Sequence, residues 1–520
     1  MSFALALALA TASPAGQSCQ SALGPLYDGT PEEALPGRVE GDSIVGSEAL
    51  KELRRRRGDA LITVVGGSFR GADFRGAALH NICFLDTNFE GSDWRGADAP
   101  GVGFIRANLT GATLAGAKMP GIMLRQPTLA NVDALEVDWS GGKLDGSADG
   151  NLENLRLDRA NLSRFTFDCG ITIGDSCPYS DAISLRGADL AGAAVDTFNG
   201  GGSIWRGARF NRTTVSLRQL RDIGSSELFG PVIVRGGDAR AELSRDEVLA
   251  LQPHISSPGS GAATPSFDCA RASTPIERMI CSEDGGTLRA IDRDVAALYR
   301  RALAADPGVA ASQQAWLRRR DAECAPRGQV DFSCLYDSYD ARKGELVARL
   351  GPPAWLRPGV QALFVAPSVT FDEAVRETPL YRRLLPVVIG SASSRVYVRV
   401  GADGRIDAEG DAIGGNAHMC SLSGRGFTFD RRTGWHSGPA GGENGRAPTG
   451  APLVPVLMFV DDGLQVYRNG HPEYSEEAPR NDYASCGVRA GFMDMVRVPA
   501  TAAEVDGFFD AAERSAAGAP

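Results

Sequence analysis

Five histidines are spread over 520 residues, and three of them, His418, His436 and His471, lie in the C-terminal part of the chain. Histidine carries acid–base and metal chemistry near neutral pH, but a metal centre needs converging ligands, and neither H-x-H nor H-E-x-x-H spacing occurs. The adjacent carboxylates Asp461 and Asp462 are of the type that glycoside hydrolysis uses, yet they precede Gly463 between two apolar runs, which is hairpin-turn chemistry. No G-x-S-x-G elbow, P-loop, G-x-G-x-x-G or S-x-x-K with K-T-G is present. No catalytic, metal-ligating or cofactor-binding residue is assigned, and a hydrolase in the C-terminal domain is the alternative chemistry. Cysteine is the better signal. Ten cysteines stand at 19, 83, 169, 177, 269, 281, 324, 334, 420 and 486, without a C-x-x-C, so zinc ribbons and thioredoxin-type sites lack their signature. Disulfides in an oxidising compartment are expected instead. Cys169 and Cys177 would close a loop, and Cys420 would pair with Cys486. Cys269, Cys281, Cys324 and Cys334 allow three pairings, and the partners of Cys19 and Cys83 stay open. Arg318, Arg319, Arg320 and Asp321 form a candidate partner patch, against which stands a solvated helix face with intrahelical pairs.

The elements that would position these residues announce themselves by period. From Phe69 every fifth residue is apolar: Phe69, Phe74, Leu79, Phe84, Phe89, Trp94, Ala99, Phe104, Leu109, Leu114, Met119, Leu124, Leu129, Ala134, Trp139 and Leu144. The frame slips, resumes at Leu152, Leu157, Leu162 and Phe167, and after an insertion from Asp168 to Ala182 runs from Leu185 and Leu190 through Trp205 and Phe210 to Leu220. Of these 28 positions, 27 are apolar, against 43% for the chain. Small or β-branched residues recur two places before each centre, and glycine two places after it. Of the 23 glycines in residues 60–220, 14 hold that phase, so much of the glycine excess (63 in all) marks corners. Neither 2.0 nor 3.6 fits a period of five. A coil that turns at every unit does.

Units such as Gly71-Ala72-Asp73-Phe74-Arg75, Arg106-Ala107-Asn108-Leu109-Thr110, Arg159-Ala160-Asn161-Leu162-Ser163 and Gly187-Ala188-Asp189-Leu190-Ala191 resemble the A-(D/N)-L-x-x pentapeptide-repeat family. The resemblance implies a right-handed quadrilateral β-helix over about residues 67–222, with seven coils about 34 Å long. Ser47 to Arg57 reads as a short basic helix covering the first coil within a 40–222 domain, with Arg54 to Arg57 a solvated cap face. Some members of the family mimic DNA and inhibit topoisomerase, which requires a strongly acidic rod. Residues 60–220 hold 15 Lys+Arg and 17 Asp+Glu, so DNA mimicry is not expected.

Residues 223–265 read as a connector with a short helix near Ser244–Leu251 and the linker Ser256-Ser257-Pro258-Gly259-Ser260-Gly261. A helical module follows. Thr274-Pro275-Ile276-Glu277 is a helix start; Leu288, Ile291, Val295, Leu298 and Ala302 keep helical spacing; further helices are expected over 311–323 and 332–350. Ser266-Phe267-Asp268-Cys269, Thr274 to Cys281, Gln314-Ala315-Trp316-Leu317-Arg318-Arg319-Arg320-Asp321 with Cys324, and Cys334 with Tyr339 and Arg342 are similar to the LprI-type lysozyme-inhibitor N-terminal domain over 266–350. The spacing between Cys324 and Cys334 is longer than the family pattern. The resemblance implies inhibition of host lysozyme. An inhibitor of a basic enzyme should present acidic groups, whereas 266–350 carries 13 basic and 13 acidic side chains.

Residues 355–515 look β-rich. Val396 to Val400, a turn and Arg405 to Ala408 form one hairpin; Val454 to Val460 and Leu464 to Tyr467 form another across Asp461-Asp462-Gly463; Gly426 to Phe429 leads through a turn to Trp435; Cys486 to Val498 gives a further strand. An antiparallel sheet of five or more strands is expected. The fold class is thus multi-domain: a quadrilateral β-helix, a disulfide-stapled α-helical module and an antiparallel β-rich domain. Phe3 to Ala10 followed by small residues reads as a signal peptide over 1–18, although it lacks a basic start. No stretch reaches 18 apolar residues, so no integral membrane segment is expected. A net charge of −10 argues against nucleic acid. The expectation is a periplasmic or extracellular binding protein that needs no cofactor and has a protein partner, lysozyme being the candidate. A structural protein that binds an envelope component through the rod is the alternative.

Overall fold

A computed structural model describes residues 19, 35–146, 152–168, 183–196, 205–223, 227–228, 230–256, 264–282, 286–414, 418–440, 450–467, 483–486 and 491–516. The expected signal peptide over 1–18, the Cys169–Cys177 bridge and His471 lie outside them. The chain divides into two compact units, Met1–Ile255 with Asp372–Gly390, and Ser256–Phe371 with Ser391–Pro520.

The first unit is a β-solenoid of about seven turns. Strands β1 (Arg38–Glu40), β2 (Ile62–Val65), β3 (Ile82–Leu85), β4 (Gly103–Ile105), β5 (Met123–Arg125), β6 (Lys143–Asp145) and β7 (Thr166–Asp168) stack in sequence order in one sheet, and each pairing is parallel. Bridges on the other faces, such as Asp73↔Asp93 and Asp98↔Lys118, join residues 20 apart, which is four five-residue units per coil. All 27 described repeat centres are buried, from Phe69 to Leu220. Like side chains one coil apart stack: Phe69 on Phe89 with ring centroids 5.3 Å apart, Phe74 on Trp94 at 4.2 Å, Phe84 on Phe104 at 5.5 Å. Each large centre contributes about 2 kcal/mol of burial. The corner two places after a centre is left-handed in every coil. Gly71, Gly91 and Gly111 hold φ of 63°, 65° and 67°, and Asn81, Arg106, Gln126, Glu136 and Arg159 occupy the same phase at 48–57°.

Both ends of the rod are covered. Helix α1 (Gly46–Arg57) lies at the N-terminal end. Arg54 within it is not solvated; it is 3% exposed. Its guanidinium donates to the carbonyls of His80 and Ala60, at 2.8 Å each, and of Gly58. Arg55 and Arg56 instead pair outward with Glu52. Carbonyls at a coil end have no next coil to bond, and one buried arginine fork satisfies several of them. Cys19 is bonded to Cys83 and packs with Leu61, Leu85, Ile105 and Met123 over the outer face of the parallel sheet. At the other end the expected connector is folded. Strand β8 (Thr213–Ser216) continues in parallel into β9 (Val232–Gly236), which forms a hairpin with β10 (Ala239–Leu243). Helices α2 (Leu217–Asp222) and α3 (Arg245–Leu251) start with capping boxes at Ser216 and Ser244. The helix Pro379–Gly390, drawn from far along the sequence, belongs to this unit.

The second unit combines the four-cysteine helices with the β-rich segment. Helices α4 (Pro275–Ser282), α5 (Thr287–Ala305), α6 (Val309–Cys324) and α7 (Phe332–Leu350) follow the expected spans. Cys269 is bonded to Cys281 and Cys324 to Cys334. Strands β11 (Gln361–Ala366), β12 (Ser394–Val400), β13 (Ile406–Ile413), β14 (Met419–Phe429), β15 (His436–Pro439), β16 (Leu453–Val460), β17 (Gly463–Val466), β18 (Ala484–Cys486) and β19 (Met495–Val498) form one sheet. The order is β13-β12-β11-β19-β17-β16-β15-β14, and β13 also pairs with β14, so eight antiparallel strands close into a barrel with β18 on the free part of the β14 edge. Residues 486–498, expected as one strand, contribute two: β18 ends on β14 while β19 pairs with β11 and β17. Cys420 and Cys486 are register partners on β14 and β18 and are disulfide-bonded. Phe364, Val396, Val398, Leu422, Phe427 and Phe459 are among the residues that fill the interior. A helix not expected from the sequence, α8 (Ala502–Ala516), covers strands β11 to β13 and stacks Phe508 on Tyr397 at 3.9 Å. The helical module shares its core with the barrel: Ile276, Leu288, Trp316 and Tyr339 belong to one buried cluster with Trp435 and Met458.

Candidate functional site

Helix α6 carries the candidate partner patch, and its four residues divide by helical phase. Arg320 is 7% exposed. It lies over the Trp316 ring at 5.2 Å and donates to the Tyr339 hydroxyl at 2.9 Å and to Asp321. Tyr339 in turn donates to buried Asp292 at 2.8 Å, and Asp292 accepts from the backbone N–H of Ser266. Burial between these groups pushes the Tyr339 hydroxyl well above its ordinary pKa, so it stays a neutral bridge. Arg342, 1% exposed, also lies over the Trp316 ring, at 5.9 Å, and bonds Gln313, Ser312 and Glu345. Trp316 and Arg320 therefore staple α5, α6 and α7 together, while Arg318 and Arg319 are exposed and Arg319 faces Glu345 at 3.8 Å. Two arginines of the patch face solvent and one is core, because four consecutive helical positions cannot share a face.

Where the helices meet the barrel there is a cleft of about 300 Å³. Asp294, Leu298 and Arg301 line it from one face of α5, at i, i+4 and i+7. Lys343 enters from α7, Met458, Leu464 and Gln465 from β16 and β17, and Asp494 and Met495 from the start of β19. Leu298, Met458, Leu464 and Met495 are buried and give an apolar floor. The Lys343 ammonium donates to Gln465 Oε1 at 2.9 Å, and Gln465 Nε2 donates to Asp340 at 2.7 Å. Arg301 donates to both oxygens of Asp461, at 2.7 and 2.9 Å. Sequence reading missed this site because its residues are drawn from distant segments; the i, i+4, i+7 face of α5 was the one local sign.

The arrangement of the N-terminal unit, with its 20-residue coil, left-handed corners and buried centres, has a counterpart among known families. Residues 82–126 match the family model of pentapeptide repeats, in eight copies. Within the solenoid, residues 82–126 are thus similar to pentapeptide repeats. Solved structures similar to this part include HetL, a pentapeptide repeat protein involved in heterocyst differentiation regulation from the cyanobacterium Nostoc sp. strain PCC 7120, at 20% identity over 32% of this chain and 72% of that one, with a TM-score of 0.17. They also include QnrB1, a plasmid-mediated fluoroquinolone resistance protein, at 16% identity over 37% of this chain and 86% of that one, with a TM-score of 0.16. No curated protein sequence matches the chain.

The pentapeptide-repeat solenoid presents ladders of paired charges, such as Arg75 with Asp73 at 2.6 Å and Arg159 with Glu136 at 2.7 Å, and its fold supports a structural or interaction scaffold. In the second unit the remaining chemical candidates stand apart. His436 is buried against Phe429 and Phe459, with centroids 5.2 and 5.1 Å away, and its Nδ1 has no hydrogen-bond partner among the described residues. Burial pushes its pKa down to about 4. His418 is partly exposed and precedes β14. Asp461 and Asp462 occupy the β16–β17 turn, where Asp461 has φ of 51° and the two carboxylates are held by Arg301 and Arg497. Among the described residues, no group of three or more His, Cys, Asp or Glu could hold a metal ion. Among them, too, no helix is long and apolar enough to cross a membrane.

Proposed function

We propose that this is an exported bacterial envelope protein that binds a protein partner, with the pentapeptide-repeat solenoid as a rigid scaffold and the four-cysteine unit as a binding module. The observation that carries the reading is the pairing of a scaffold fold with four disulfides among the described residues, Cys19–Cys83, Cys269–Cys281, Cys324–Cys334 and Cys420–Cys486. Disulfides persist in oxidising compartments, which supports export and a periplasmic or extracellular location. The resemblance of 266–350 to LprI-type domains names host lysozyme as the first partner to test. Exposed Arg318 and Arg319, with Asp321, are the surface that such a partner would meet. Muramidase activity of c-type lysozyme, measured with excess purified full-length protein, should fall; undiminished activity refutes inhibition. Pull-down from periplasm and culture fluid with the full chain, compared with a chain lacking 60–220, tests the scaffold reading. If the rod carries the partner, only the full chain retains it.

A further inference from the structure

We propose that the cleft between α5, α7 and the β16–β17 hairpin binds a small zwitterion with an apolar body, of the class of an apolar amino acid or dipeptide. This does not rest on the lysozyme reading. A volume of about 300 Å³ over an apolar floor falls at the lower end of small-molecule sites.

The charges at the rim select the ligand. Lys343 is half-buried. One of its three donors is spent on the neutral Gln465 amide, and no described carboxylate lies within ion-pairing distance of it. A half-buried ammonium without a counter-charge favours an incoming anionic group, and its remaining donors are free to bind one. Arg301 is already neutralised by Asp461, so the described residues offer one uncompensated cation rather than a cluster. Asp294 and Asp494 also line the cleft, and both are exposed. Asp294 has a counter-charge at 3.5 Å in Arg293, whereas Asp494 has none within pairing distance among the described residues. A phosphate dianion would meet Asp294, Asp461 and Asp494 together, which disfavours it. A ligand with a carboxylate for Lys343 and an ammonium for Asp494 or Asp294 satisfies both sides, and its apolar side chain covers Leu298, Leu464 and Met495.

Isothermal titration of the full, oxidised protein tests this with four probes: L-leucine, the dipeptide Leu-Leu, N-acetyl-leucine and leucinamide. Saturable heat is expected with L-leucine, Leu-Leu or both, and the stronger of the two identifies the natural length. Removing the ammonium by acetylation or the carboxylate by amidation should weaken binding about tenfold or more. Lys343→Met should abolish it, and Asp494→Asn should weaken it. The proposal is overturned if neither zwitterion binds, if the capped forms bind as well as the zwitterions, or if Lys343→Met retains the affinity. Should Lys343→Met fail to give the native circular dichroism spectrum, the capped probes on the unaltered protein and Asp494→Asn on its exposed site decide the matter.

Discussion

His436 shows how burial sets a pH response. Its ordinary pKa of 6.5 falls to about 4 in the fold, because burial against Phe429 and Phe459 outweighs a hydrogen bond to the Leu457 backbone that favours the cation. As pH drops through 6.5 the unfolded chain takes up a proton that the folded barrel refuses until about pH 4, so stability present at neutral pH is lost across that window. The loss amounts to about 3 kcal/mol. Melting temperature measured from pH 7 to pH 4 should fall more steeply in the natural protein than in His436→Phe; identical slopes would show that the ring does not titrate as its burial implies. At Arg320 and Arg319 neighbouring residues of one type have different fates. Arg320→Ala leaves the buried Tyr339 hydroxyl without its donor and uncovers Trp316, and should cost about 3 kcal/mol. Arg319→Ala, on the solvent face, should stay within about 0.5 kcal/mol in urea unfolding. Equal effects from the two would contradict the placement of Arg320 in the core.

In the solenoid the repeating element is a corner, and its cost is conformational. Gly111 has φ of 67° and no described atom within 4 Å of where a Cβ would sit, so Gly111→Ala should destabilise by about 1 kcal/mol through backbone strain. Gln126 holds the same phase at φ of 48°, and Gln126→Gly should recover a similar amount less the entropy that glycine adds to the unfolded chain. Thermal unfolding of the two variants checks both signs; a neutral Gly111→Ala would mean that the corner relaxes. The same corner explains what could be read in advance. A pentapeptide coil repeats its large residue, its small residue and its left-handed residue at fixed offsets, so Phe69 to Phe210 could be placed inside from spacing. Helices α5 and α7 were legible for the same reason, from an apolar face and, for α4, from the Thr274–Glu277 capping pair. The barrel was legible only as hairpins. Its closure depends on β13 meeting β14 and β11 meeting β19, and the second pairing joins Leu363 to Val498. No local pattern encodes such a pairing, and the same holds for a cleft that gathers Asp294, Lys343, Gln465 and Asp494.

The chain does not fold as a string of consecutive domains. Residues 372–390 leave the second unit, add a helix to the first, and return. In that helix Leu384, Val387 and Val388 are buried, Arg383 pairs with Glu247 of α3 at 2.9 Å, and Gly390 meets the β9–β10 hairpin so closely that a Cβ on it would lie 2.1 Å from the Gly236 carbonyl. The end of the solenoid is thus completed by a segment from well beyond its own repeats. Each unit has its own buried core, so calorimetry of the oxidised protein should resolve two unfolding transitions. Leu384→Asp puts a charge into the solenoid cap, costs about 4 kcal/mol there and should lower one of them. Replacing Cys420 and Cys486 by serine opens a bridge spanning 66 residues, removes about 4 kcal/mol from the barrel by loop entropy and should lower the other. If both substitutions moved the same transition, or if the protein melted in one step that each shifted equally, residues 372–390 would have to belong energetically to the barrel rather than to the solenoid that they cap.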